Sequence, residues 1–307
     1  MKGSLITSLA GVGLAAAATQ SICDKYTTAV FKKNTPQNQE KLLTIVVNTA
    51  VIGNYTPGAL NDVPGILAPG YFQGVYVQLL PYFDGELLST NNGGSCGQST
   101  NFLDGGGATP LTKNLPADNT SSNQYTLLTH LYEYFGVLLG CSAFGTSYVP
   151  YAGSTNLYEV HKFMALDSYE VGWFIQQVGL AATSLGVSAA DATAVGAALT
   201  KFFDYRCLAP VSIPSTAPPA PQSICTDCEC PLAADPDCSI YGAIIKPVPT
   251  SSASEACAPQ QTEHCSSGNY GNGGNGGNGG GWGGNGGGWG NGGGWGNGGS
   301  WGKKRHH

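Results

Sequence analysis

Residues Pro150–Leu185 read PYAGSTNLYEVHKFMALDSYEVGWFIQQVGLAATSL. After its one histidine, His161, apolar side chains recur at Val171, Phe174, Ile175, Val178, Leu180, Ala181 and Leu185. That spacing lays a single stripe along a helix and predicts an amphipathic helix of about four turns. His161 precedes it, among Val160, Phe163, Met164 and Leu166. An imidazole at the edge of apolar surroundings has two roles open to it. It can be a core side chain with a satisfied hydrogen bond, or its neutral ring can give a lone pair to a metal.

The flanking sequence is also helical in pattern. Residues 21–53 read as two helices broken at Asn34-Thr35-Pro36, with Thr35 or Asn34 as N-cap and Pro36 in the first turn. In the second of these, Leu42, Leu43, Ile45, Val46, Thr49, Ala50 and Ile52 leave almost no polar face, as expected of a buried helix. Residues 123–140 place Leu127, Leu128, Leu131, Tyr134, Phe135 and Leu138 on one stripe. A last helix spans 189–205, with Asp191 near its positive end. Between these helices, residues 54–122 are rich in Gly, Pro, Asn and Asp and much longer than an ordinary connection; weak alternation at Gly74–Leu79 marks a short extended piece. The expected fold class is all-α, a helical bundle with a long irregular insertion.

The chain opens MKGSLITSLAGVGLAAAATQ, which reads as a secretory signal ending near Ala18. No stretch is apolar for the ~18 residues of a membrane span. Ten cysteines fit an oxidising compartment, so the expected location is secreted, extracellular or wall-associated. Asn54 and Asn119 begin glycosylation sequons. Charged residues are 10% of the chain and the net charge is −6, which argues against a nucleic-acid partner. The one basic cluster is the terminal Lys303–His307.

The order of motifs is PY-x-G at Pro150–Gly153, L-x-x-V-H at Leu157–His161, an apolar helix, then LGV-x-x-x-D at Leu185–Asp191. This order and spacing resemble the truncated hemoglobins, most closely group 1. The similarity spans at best Cys23 to Tyr205 and is good from Tyr125 to Phe203. Leu139-Gly140 is similar to that family's LGG helix ending, and LLPYFDG at Leu79–Gly85 to its L-x-x-FF-x-G segment. The resemblance implies a truncated-globin-like bundle binding heme, with His161 as the iron ligand and a small diatomic ligand as its partner. It implies that Phe83, Leu127, Leu131, Leu166, Phe174, Val178 and Val46 line the heme, and that His130 stands at the flank of the pocket or acts as a distal ligand or donor. Glu159, or the backbone four residues before His161, would hold the other ring nitrogen. The family's distal tyrosine is missing from Leu42–Ile52. A distal donor must then come from His130, Tyr125, Tyr132 or Tyr134. Any activity would be of heme peroxidase or nitric oxide dioxygenase type.

Residues 209–222 are a Pro-rich linker in this reading. Residues 223–266 are a Cys-rich segment in which disulfides are a better reading than a metal clip. Cys23 and Cys207, at the two ends of the 19–208 domain, are candidates to staple it. Residues 267–307 form a Gly/Asn/Trp tract too poor in apolar surface to fold. Its evenly spaced tryptophans could stack on polysaccharide of a wall or matrix. That gives the rival expectation, a secreted structural or adhesion protein without heme. No G-x-S-x-G or H-E-x-x-H motif is present, and only His130 and His161 lie in the domain as bases.

Overall fold

Thr35 is extended and its hydroxyl accepts from the Asn38 amide at 3.3 Å, with Pro36 in the first turn. The helix that follows, α2 (Pro36–Ile52), starts where the sequence calls for it. The same chemistry starts the other long helices of this computed structural model, which describes residues 20–92, 94–143 and 150–252. Ser21 caps α1 (Ile22–Phe31), and after the short turn α3 (Ala108–Leu111), Ser122 caps α4 (Asn123–Leu138). Asn156 caps α5 (Leu157–His161), Asp167 caps α6 (Ser168–Ser184), and Ser188 caps α7 (Ala189–Phe203). Each cap oxygen satisfies a backbone N–H that has no partner within its helix. The class is all-α, with one small hairpin among the described residues. The expected secretory leader and the Gly/Asn/Trp tract lie outside the described residues, as do Cys257 and Cys265.

Helix α6 is central. It packs on α7 and on α2, and α2 packs in turn on α4 and α1. Leu43, Val171, Ala181 and Leu199 are buried at these contacts.

The insertion is not a free loop. Its backbone returns to α2, where the Ile66 and Leu67 amides donate to the Ala50 and Val51 carbonyls at 2.8 and 3.2 Å. It then forms the antiparallel hairpin β1 (Gly70–Phe72) and β2 (Val75–Val77). The hairpin turns at Gln73-Gly74, both at positive φ, as a two-residue turn requires. The hairpin keys into α6 at two glycines: a Cβ on Gly70 would overlap the Trp173 ring, and one on Gly172 the Phe72 ring. Further on, Asp104 accepts from the Asn123 and Gln124 amides at the start of α4.

The sequence reading of 209–222 as a linker meets a different arrangement. Val211 and Ala220 form an antiparallel bridge, and Gln222 is fully buried, its amide donating to the Thr155 and Ala220 carbonyls. Residues after it continue over the helices: Leu166 pairs with Cys225, Arg206 with Leu232, and Leu87 of the insertion with Pro249. The proposed Cys23–Cys207 staple is corrected. Cys23 bonds Cys141, Cys207 bonds Cys238, and Cys225 bonds Cys230. Cys23 finds Cys141 because the start of α1 abuts the end of α4, where the Cys23 amide donates to the Leu139 carbonyl at 3.1 Å. Cys96 and Cys228 are disulfide-bonded as well. The disulfide reading therefore holds for Cys225, Cys228, Cys230 and Cys238, and no cluster of metal-ligating side chains occurs among the described residues.

Candidate functional site

His161 ends α5, and its Nδ1 lies 2.7 Å from the carbonyl oxygen of Leu157, one turn earlier. A carbonyl can only accept, so Nδ1 carries the proton and the lone pair is on Nε2. Burial pulls the ring's pKa below its ordinary value, against a smaller opposing effect of the Leu157 bond. A neutral imidazole with a fixed tautomer is the form a metal takes. Of the two holders expected for the second nitrogen, the backbone fills the role. Glu159 instead pairs with Lys162 at 2.7 Å and accepts from Asn91.

The ring stands on the wall of a cavity of about 430 Å³, within the ~300–1,000 Å³ common for cofactor and small-molecule sites. Helix α4 gives it Leu127, His130, Leu131, Tyr134 and Phe135; α5 and the turn after it give Leu157, Val160, Met164 and Leu166; α6 gives Glu170, Val171 and Phe174. Phe83, Tyr82 and Phe102 come from the insertion, together with the polar run Ser89–Asn92. Phe203 and Ile224 also line it.

Seven of the expected site residues thus meet at one cavity: His161, Leu166, Phe174, Leu127, Leu131, His130 and Phe83. Two are corrected. Val178 lies a turn beyond Phe174 and is spent in the core, 4% exposed. Val46 is half-buried against the core but does not reach the wall. The part of α2 nearest the cavity is covered by the insertion, which bonds to Ala50 and Val51 and puts Ile66, Leu79 and Phe83 there instead.

The polar groups of the wall are few and mostly tied down. Tyr151, of the PY-x-G bend, donates to the Ser154 carbonyl at 2.7 Å, and burial raises its pKa to about 12. The bend is pinned by Glu133 of α4, whose Oε2 accepts from the Ala152 amide at 2.8 Å. The His130 ring sits edge-on to Tyr151 at 6.4 Å.

Glu170 does two things. One oxygen accepts from the Asp167 amide at 3.1 Å, closing the capping box of α6, and the other accepts from the Tyr82 hydroxyl at 3.0 Å. Burial, then the nearby Asp167, raises its pKa to about 7.

Sequence reasoning missed Tyr82, Glu170 and Tyr151 as wall residues. The D-x-x-E spacing at Asp167–Glu170 identifies a cap and gives no sign that the same carboxyl also faces a cavity.

Apolar walls with the His161 lone pair, and a second imidazole at His130, suit a flat, largely apolar group that carries a metal, and heme has that chemistry. A smaller cavity of about 240 Å³, beside Tyr158, Tyr241 and Cys207, does not include His161. Comparisons with protein-family models, with curated proteins and with solved structures found no match for this chain.

Proposed function

We propose that this protein binds heme in the His161 cavity and through it a small diatomic ligand, as a helical bundle of the truncated-hemoglobin kind. One observation carries the reading: an imidazole whose Nδ1 is held by the Leu157 carbonyl, so that Nε2 is left for a metal, on the wall of an apolar cavity of about 430 Å³. When bound, heme would supply an iron able to take an imidazole nitrogen and a small diatomic ligand. His161 would hold the iron, and Phe83, Leu127, Leu131, Leu166 and Phe174 would exclude water from the bound group. The Leu157 bond keeps the imidazole from turning away and raises its basicity toward the metal. Tyr82 and Glu170 close one part of the wall, tying the insertion to the first turn of α6. Export, with the disulfides described above, is part of the same proposal.

The test is a hemin titration of the purified chain, followed by its visible spectrum. A Soret band that saturates at one hemin per chain, and that His161→Ala loses while keeping its far-ultraviolet helix signal, is the expected result. A parent chain with no such band defeats the proposal.

A further inference from the structure

The geometry points to a second binding site, in the cavity of about 240 Å³ beside Tyr158 and Tyr241, for a small molecule that carries a carboxylate on an apolar ring or short chain. The inference does not depend on heme, since His161 is not on this wall.

Tyr158 and Lys162 come from α5 and the residue after it. Arg206 follows α7, and Tyr241 and Ile244 come from the segment that runs over the helices. Two cations thus stand on this wall, and no carboxylate does. In a chain of net charge −6 that is an uneven placement, and Arg206 is the one arginine among the described residues.

Arg206 is fixed before any ligand arrives. Its amide donates to the Pro231 carbonyl at 2.9 Å, its carbonyl accepts from the Ala233 amide at 3.1 Å, and its Nε donates to the Cys230 carbonyl at 3.1 Å. The Cys207–Cys238 and Cys225–Cys230 disulfides tie down the backbone on both sides of these bonds. The two terminal nitrogens of the guanidinium have no acceptor among the described residues, where the ion pairs are Lys25–Asp191 and Lys162–Glu159. Lys162 gives one of its three N–H groups to Glu159 at 2.7 Å and keeps the others. Both cations are half-buried, so a solute can reach them.

The remaining wall sets the body of the ligand. The Tyr158 and Tyr241 rings meet edge to face at 4.7 Å, and Ile244 is buried beside them. The Tyr158 oxygen accepts from the Gly242 amide and the Tyr241 hydroxyl donates to the Leu208 carbonyl, each at 2.7 Å. Those bonds hold the rings still, and carbon surface is what they mainly offer. A guanidinium fork matches the plane of a carboxylate, and aromatic side chains favour an apolar ring. The volume lies below the ~300–1,000 Å³ of larger ligand sites, which limits the molecule to one ring or a short chain.

The test is saturation-transfer NMR on the full chain at low salt, with benzoate, acetate and benzyl alcohol as probes. Benzoate should bind saturably and more tightly than either of the others, because only it has both the charge and the ring. Lys162→Met and Arg206→Lys, which keeps the charge but not the fork, should each weaken benzoate on the order of tenfold. Lys201→Met, away from this wall, should not. Melting curves establish that each variant is folded, and Lys162→Met spares the backbone bonds that Arg206 makes. The inference is overturned if benzoate binds no more tightly than acetate or benzyl alcohol, or if the folded cation variants keep the parent's affinity within about twofold. Benzoate binding lost in His161→Ala but kept in Lys162→Met would put the molecule in the larger cavity and overturn it as well. Because the readout needs no hemin, failure of the heme reading leaves this result standing.

Discussion

In the proposed heme site, His161 is where proton and metal would compete. The Leu157 carbonyl fixes which nitrogen is protonated, and burial lowers the pKa below the ordinary value near 6.5. Hemin retention should therefore persist as pH falls through 6.5, and fail only further down, when Nε2 takes a proton. A Soret titration from neutral to acid checks it; release centred at or above 6.5 would contradict the burial argument. Glu170 gives a second prediction with a defined sign. Its folded pKa of about 7 lies above the ordinary glutamate value near 4.5. Between those values the folded chain holds a proton that the unfolded chain has released, so the carboxyl's contribution is full below about 4.5 and is lost as pH rises through about 7. Glu170→Gln does not titrate. It should gain on the parent by on the order of 2 kcal/mol between about pH 4.5 and about pH 7.5, read from urea midpoints. The groups that face Glu170 are Tyr82, Asp167 and Asp227, and the two aspartates are acidic.

At the scale of elements, the helix starts were legible because capping is local: Ser, Thr, Asp or Asn side chains reach an amide two or three residues on. His161 was legible for a similar reason, since its partner is one turn away. The hairpin's fit was not. That Gly70 and Gly172 admit the rings of Trp173 and Phe72 depends on residues about a hundred positions apart in the chain, and no local pattern reports it. Gly172→Ala should force those rings apart and cost about 1–3 kcal/mol. Thermal melting with the helical circular dichroism signal retained is the measurement, and Gly94→Ala, where a Cβ would meet nothing closer than 3.7 Å, should cost less than Gly172→Ala. Val178 failed as a wall residue because it lies a turn beyond Phe174, inside the core, and Val46 failed for the same non-local reason as the hairpin. Periodicity told which face of each helix is apolar, but not that the insertion would cover α2 before the cavity could reach it.

For the molecule as a whole, the cross-links set the stability. Cys23–Cys141 spans 118 residues, and loop closure of that size is worth about 3–5 kcal/mol in the chain-entropy account. Replacing both cysteines with alanine should lower the urea midpoint accordingly, whereas loss of Cys225–Cys230, which spans 5 residues, should cost less through loop closure. The pairing was hidden in the sequence because an even count of cysteines leaves many connectivities open. The path of residues 209–252 was hidden because proline-rich composition describes a chain's stiffness and not what it rests on. That path bears on where the protein can be cut. Ile224 belongs to the cavity wall, and the Ile224 and Cys225 amides both donate to the Phe203 carbonyl. A fragment stopped at the end of the last long helix would thus be a vessel missing one panel. The smallest piece worth expressing for spectroscopy is one that runs on past Ile224.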